Sequence, residues 1–548
     1  MPTAAPPHTE ARTFLDELLA QERDLTAVER FSRWHGRHAG QGGDPNTLRE
    51  KNYRRLLPTG APRPGEQCAF EVDLDRCSGC KACVTACHAL NGLEDGESWR
   101  SVGLLNGKPP AKSSAPASLQ HVSTACHHCL EPACHHGCPV LAYEKDPLTG
   151  IVRHLDDQCI GCTYCVMMCP YEVPRYSSRL GIVRKCDMCS GRLAAGESPA
   201  CVQACPTEAI RITHVAVRET QARLTPIAEA AQPGTDSNPF LPTSPAPDLT
   251  LPTTRYLTRR SDLTNLKAVD VANAEPAHGH TPLVFMLVLT QVATGVFTWL
   301  PWIATEQKVA VARVGLVALL VGLAASALHL GQPLRAWRVF LGLRRSWLSR
   351  EALLLGIMLP LALLTAGLPA ESSLAKFAAG ISAMIGGFSV LASTMVYVAT
   401  RRAHWSLEFT LPRFLGAVLA AGTAVVAAIL PPAALPGVAV PIVIVTGLAL
   451  SLTAEFRLLR HRHSPTPQTL SRSARLMAGP LRRLGLARLG SATVGLALVI
   501  AGTVGLPDSD TILVRGTAGV LLLVSTLLER HLFFTAASPD RMPGNVPA

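Results

Sequence analysis

Sixteen of the seventeen cysteines fall between Cys77 and Cys205, in four groups of four. The first, Cys77, Cys80, Cys83 and Cys87, and the third, Cys159, Cys162, Cys165 and Cys169, share the spacing C-x2-C-x2-C-x3-C. The second, Cys126, Cys129, Cys134 and Cys138, and the fourth, Cys186, Cys189, Cys201 and Cys205, keep the outer spacings and lengthen the middle gap. A cubane iron–sulfur cluster needs thiolates at its corners. A short C-x2-C-x2-C loop wraps only three of them, and a fourth cysteine three residues on points to a neighbouring cluster. Disulfide frameworks do not demand four-cysteine runs, and structural zinc favours two separated C-x2-C pairs or mixed cysteine and histidine. The spacing therefore predicts four [4Fe-4S] clusters.

The order of the groups predicts how they pair. The second and third are joined by AYEKDPLTGIVRHL, which reads as a hairpin turning at Asp146, Pro147 and Gly150. The first and fourth are left to pair around the outside. VDLDRC before Cys77 echoes RHLDDQC before Cys159, the sign of an internal repeat. The expected fold is α+β, a duplicated ferredoxin-like domain with one module inserted in the other. Proline follows the last cysteine in three groups, and His88 stands there in the first. Cys68, the odd cysteine, reads as a packed thiol.

Charged residues make up only 17% of the 548-residue chain, and the mean hydropathy is +0.22. The excess lies after residue 280, in eight apolar runs near 282–303, 309–330, 351–369, 374–400, 413–431, 434–456, 489–506 and 510–534. Each approaches the roughly 20 residues needed to cross a bilayer, so an all-α eight-helix transmembrane bundle is expected. The formal charge of +11 does not imply nucleic acid. The basic residues of this half lie between apolar runs, where they orient helices. Arginines crowd the second, fourth and sixth loops, including Arg335, Arg338, Arg344, Arg345, Arg350, Arg401, Arg402, Arg413, Arg472 and Arg488. The opposite loops hold little beyond Lys308 and Lys376. This asymmetry puts both termini and the cysteine-rich half in the cytoplasm, and residues 1–66 show no export signal.

The expected organisation is an N-terminal arm over 1–66, carrying a short amphipathic helix around Phe14, Leu15, Leu18 and Leu19. An iron–sulfur domain over 67–217, a proline-rich linker over 218–280, the helical anchor over 281–535 and a tail over 536–548 complete it.

The stretches ACHHCLEPACHHGCP, LDDQCIGCTYCVMMCPYEVP and VRKCDMC resemble the four-cluster electron-transfer subunit of molybdopterin enzymes of the dimethyl sulfoxide reductase family. Within that family the similarity is greatest to the iron–sulfur subunit of cytoplasmic sulfite dehydrogenase. LHLGQPLRAWRVFLGLRRSWLSRE, MVYVATRRAHW and ERHLFF resemble the family's membrane anchor. The resemblance implies a separate molybdopterin catalytic subunit as partner and quinone as the membrane substrate. Sulfite oxidation is the leading expectation; sulfoxide, tetrathionate, polysulfide or nitrate chemistry could use the same wiring. It also implies four ligand sets: Cys77, Cys80, Cys83 with Cys205; Cys186, Cys189, Cys201 with Cys87; Cys159, Cys162, Cys165 with Cys138; and Cys126, Cys129, Cys134 with Cys169.

For quinone the resemblance points to His329 and Glu351. A histidine titrating near neutrality beside a carboxylate suits a proton-coupled carbonyl, although snorkelling or capping at helix ends would also satisfy both side chains. Tyr397, Arg401, Arg402, Glu408 and Glu455 are weaker candidates that read as solvated helix ends or loops. Axial histidines inside the helices are lacking, so no haem is expected. A transporter or pump would account for eight helices but not for sixteen cysteines, and no paired broken helices are evident. A tethered redox sensor would need neither eight helices nor four clusters.

Overall fold

The computed structural model describes residues 56–107, 118–225, 238–260, 262–271, 273–431, 434, 438–464, 468–502 and 508–544. The amphipathic stretch at Phe14 to Leu19 lies outside them. Residues 61–548 form one compact unit.

Among the described residues, ten strands organise the cysteine-rich half: β1 Glu66–Asp73, β2 Ser101–Gly107, β3 Ser118–Thr124, β4 Tyr143–Lys145, β5 Val152–His154, β6 Arg175–Ser177, β7 Ile182–Arg184, β8 Ile210–Ala216, β9 Arg255–Leu257 and β10 Lys267–Ala268. β4 leaves the second cysteine group and pairs antiparallel with β5, which leads into the third. β8 leaves the fourth group and pairs antiparallel with β1, which leads into the first. The same strand-and-cysteine unit therefore occurs twice, one copy nested inside the other. The inner hairpin turns as its sequence requires. Asp146 Oδ1 accepts the N–H groups of Leu148 and Thr149 at 2.8 and 3.0 Å, and Gly150 takes the positive φ of 68°.

Each cysteine group starts a short helix, and proline decides its length. The helices Ala133–Gly137 and Tyr164–Met168 stop at the cysteine that precedes Pro139 and Pro170. With His88 in place of proline, the helix Ala82–Asn91 runs one turn past Cys87 and ends on Gly92 in the left-handed conformation.

Residues 238–271 differ from the linker expectation. β9 adds to β1 in parallel and β10 adds to β2, while Phe240, Leu241 and Leu266 are buried against Val72, Leu105 and Tyr171. The tail differs too: Met542 is buried in this same cluster. Both segments belong to the packing of the iron–sulfur half.

Among the described residues, eight helices are long and apolar enough to cross a membrane: Thr281–Trp302, Thr305–Leu328, Trp347–Gly367, Ser373–Val398, Leu407–Ile429, Ala439–His463, Arg482–Ala501 and Ile512–Thr535. The fifth and seventh start six and seven residues before the apolar runs, because hydropathy marks the apolar stretch and misses first helical turns that carry charged residues such as Glu408, Arg482 and Arg483. The first helix is the most enclosed. A Cβ on its Gly295 would meet Val418 O at 2.3 Å, so glycine is what lets these two backbones approach.

The enclosed face of the bundle holds charges that read as loop or surface residues in the sequence. Arg413 and Arg488 are each 2% exposed. Arg488 Nη1 donates to Glu455 Oε2 at 2.6 Å and Nη2 to Ser451 Oγ at 2.9 Å. Arg413 and Arg530 both pair with Glu529, at 3.7 and 3.5 Å, and Arg530 also donates to Gln291. Glu455 is thus an internal ion-pair partner and not a solvated helix end.

Candidate metal centres and their junction with the bundle

The two nested modules bring sixteen thiols into four neighbourhoods. Cys77 lies within electrostatic reach of Cys80, Cys83 and Cys205, and Cys87 of Cys189 and Cys201. Cys165 is close to Cys138, Cys159 and Cys162, and Cys134 to Cys126, Cys129 and Cys169. The inner sets are the more enclosed. Desolvation pushes the Cys138 and Cys169 thiols up to about 11, and Cys87 up to about 12. Cys159 departs from this pattern: burial acts upward, yet the His154 hydrogen bond and the His154 charge bring it below the ordinary thiol value. Cys80 is exposed.

Burial of this kind leaves thiolates short of compensating positive charge, which iron would supply. The geometry bears on which metal form fits. Cys126, Cys129, Cys134 and Cys169 line one cavity together with Pro132, Pro170, Tyr171 and Thr250. Among the described residues, no group of three or more His, Cys, Asp or Glu side chains converges tightly enough for a single metal ion. These four thiols surround a space, as a multi-iron cluster requires, instead of meeting at a point as zinc requires. Backbone N–H groups point at the sulfurs: Ala142 donates to Cys138 Sγ and Ala209 to Cys205 Sγ, both at 3.2 Å.

The third cysteine group packs directly on the membrane half. Tyr164, Met167 and Met168 are buried among Val284, Leu287, Tyr397, Trp405, Phe533 and Phe534, and Tyr164 Oη donates to Val396 O at 2.8 Å. The arginine-rich loop after the second span grips the cysteine loop by its backbone carbonyls. Gln332 N donates to Ile160 O at 3.0 Å and Arg335 Nη1 to Cys159 O at 3.2 Å, while Arg338 Nη1 donates to Asp157 O at 2.6 Å. Arg402 Nε donates to Met167 O at 3.1 Å from the loop after the fourth span. Gly331 lies so close to Gly181 that a Cβ on it would meet Gly181 O at 2.1 Å.

His329 and Glu351 both come to the start of the helix Tyr164–Met168. His329 Nε2 lies 3.3 Å from Thr163 Oγ1. Burial lowers its pKa, opposed by a hydrogen bond to the Cys162 backbone. Glu351 is buried and accepts a hydrogen bond from the Ser393 hydroxyl, and its charge reaches Tyr164. Of the weaker candidates, Tyr397 is buried in the same aromatic cluster and Arg402 grips the cysteine loop, whereas Arg401 and Glu408 are exposed. Sequence reasoning missed His280. Its ring lies 5.6 Å from that of His329 and 4.8 Å from that of His278. The HGH run ahead of the first span was the available signal.

A cysteine-rich α+β half docked on eight apolar helices defines a membrane-anchored iron–sulfur protein. Residues 117–215 match the 4Fe-4S dicluster domain family and residues 277–535 the DMSO reductase anchor subunit (DmsC) family. The chain is 40% identical over 150 residues to the thiosulfate reductase electron transfer subunit PhsB of Salmonella typhi, covering 27% of this chain and 77% of the relative. It is 37% identical over 150 residues to a component of the anaerobic dimethyl sulfoxide reductase of Haemophilus influenzae, covering 26% and 73%. The chain belongs to the family of iron–sulfur electron-transfer subunits of the dimethyl sulfoxide reductase type, fused here to that system's membrane anchor.

Proposed function

We propose that this chain passes electrons between a separate molybdopterin catalytic subunit and membrane quinone, with sulfite oxidation to sulfate as the source. Four [4Fe-4S] clusters, held by the four sets named above, supply one-electron transfer when bound. The observation that carries the reading is the junction, where the third cysteine group is buried against the bundle beside His329 and Glu351. Quinone takes up two electrons and two protons to become quinol. His329, steadied by Thr163, hydrogen-bonds a quinone carbonyl. Glu351, held by Ser393, carries a proton to the reduced oxygen. The bundle excludes water from this exchange through the aromatic cluster around Tyr397. The arginine-rich loops grip the iron–sulfur half, and the positive-inside rule supports the reading that this half and both termini lie in the cytoplasm, where sulfite would be met.

Glu351→Gln and His329→Ala should each slow quinone-linked turnover while leaving about sixteen irons per chain, four per cluster. Unchanged quinone kinetics in both would remove the assignment. A second reading follows from the relatives, which are named for thiosulfate and dimethyl sulfoxide reductases; electrons would then run from quinol to substrate. Membranes should reduce added quinone on supply of sulfite and lose this when the chain is deleted. Intact sulfite oxidation, with loss of quinol-dependent thiosulfate or sulfoxide reduction, would establish the reverse direction.

A further inference from the structure

Two cations are buried inside the iron–sulfur half without a carboxylate partner among the described residues. Arg100 is 2% exposed and lies 4.6 Å over the Phe70 ring. Its Nη1 donates to Ser123 Oγ at 3.0 Å, and Nη2 has no hydrogen-bond partner. Ser123 Oγ in turn lies 3.7 Å from Cys83 Sγ. The charges that reach Arg100 are the thiolates of Cys201, Cys83, Cys186 and Cys87. Lys185, also 2% exposed, donates to Cys186 O at 2.8 Å and lies 3.7 Å from Cys126 Sγ. Cys126, Cys134 and Cys186 face it. Asp187 adds to the field, but its carboxylate accepts from Cys189 N at 2.9 Å and Ser190 Oγ at 3.0 Å.

An arginine or lysine taken out of water is costly unless an opposite charge meets it. Here the opposite charge must come from the metal centres. A [4Fe-4S] core of charge 2+ or 1+ with four thiolates is a dianion or a trianion. Arg100 lies between the two outer ligand sets, and Lys185 between the Cys186 set and the inner set of Cys126 and Cys134.

We propose that Arg100 and Lys185 raise the reduction potentials of the clusters they lie between, and so fix where an electron rests as it crosses from the outer module to the inner one. The inference rests on the four-cluster reading. Its physical content is that a fixed neighbouring cation stabilises the extra electron of the reduced form. Each cation serves as a positioning charge and touches no substrate.

The test uses the detergent-solubilised full chain, with iron analysis and a redox titration followed by paramagnetic resonance. Arg100→Gln should move two of the four reduction steps to lower potential, by about tenfold in the reduction equilibrium or ~59 mV for a one-electron couple. Lys185→Met should likewise move two, and the step of the Cys186 set should move in both. Arg100→Lys and Lys185→Arg, which keep the charge, should stay near wild type. If all four steps are unmoved, or all shift equally, the proposal is overturned. If both neutral variants lose iron while both charge-keeping variants retain it, charge compensation is supported; loss of iron in all four variants overturns it. A wild-type chain lacking four reducible clusters would refute the cluster reading itself, a separate and recognisable outcome.

Discussion

Glu455→Gln removes one half of an ion pair that the sequence places at a helix end and the fold places inside the bundle. Arg488 loses the negative charge of its 2.6 Å partner and is left with neutral acceptors, the glutamine amide oxygen and the Ser451 hydroxyl at 2.9 Å. Glu455 is 7% exposed and Arg488 2%, so water cannot replace the lost carboxylate. Breaking a buried pair from one side costs about 3–5 kcal/mol. At about 2 °C per kcal/mol, the lower end for larger domains, the melting temperature should fall by about 6–10 °C. The assay is a thermal melt of the solubilised full chain. The double variant Glu455→Leu with Arg488→Met buries no charge, so it should recover most of the loss. A Glu455→Gln chain that melts with wild type, or a double variant less stable than the single, would refute the reasoning.

Gly331→Ala should loosen the junction, because the added carbon meets backbone at Gly181 that cannot swing aside; overpacking of this kind costs about 1–3 kcal/mol. Slower quinone-linked turnover with full iron content is the expected result. Burial, then the charges of His329, His278 and Arg402, lowers His280 to about 3. Its folded pKa lies below the unfolded 6.5, so its contribution is intact above about pH 6.5 and lost as pH falls toward 3, at up to about 1.4 kcal/mol per unit. Melts between pH 7 and pH 5 should therefore be flatter for His280→Gln than for wild type. Tyr164→Phe deletes the 2.8 Å bond to Val396 O and should cost about 1 kcal/mol in the same melt.

The cysteine groups, the inner hairpin and the eight apolar helices were legible in the sequence because each rests on local spacing. The nested duplication was legible for the same reason: the echo before Cys77 and Cys159 marks equivalent strands, β1 and β5. Residues 238–271 were not. β9 and β10 are three and two residues long, and they contribute backbone bonds that no side-chain period announces. Arg413 and Arg488 misled for another reason. Composition counts an arginine at the edge of an apolar run as a loop charge, and only the fold supplies Glu529 and Glu455 from distant helices. His329 and Glu351 could be named by resemblance, whereas Thr163, Ser393 and His280 become their neighbours through packing alone.

The tail gives the fusion a property that two separate subunits would lack. The membrane half is entered through residues that pack on the iron–sulfur half and is left through others that return to it. Gly544 N donates to Asp270 Oδ1 at 3.2 Å and Arg541 pairs with Glu172 at 3.6 Å, while Arg472 of the membrane half holds Asp540 at 2.8 Å. The eight helices thus hang from the electron-carrying half at both ends, like a loop of rope knotted twice to one post. If the Arg335 and Arg338 grip opens thermally, the two halves stay at high effective concentration and close again without a diffusional search. A joint made of individually weak contacts can in this way remain engaged throughout turnover.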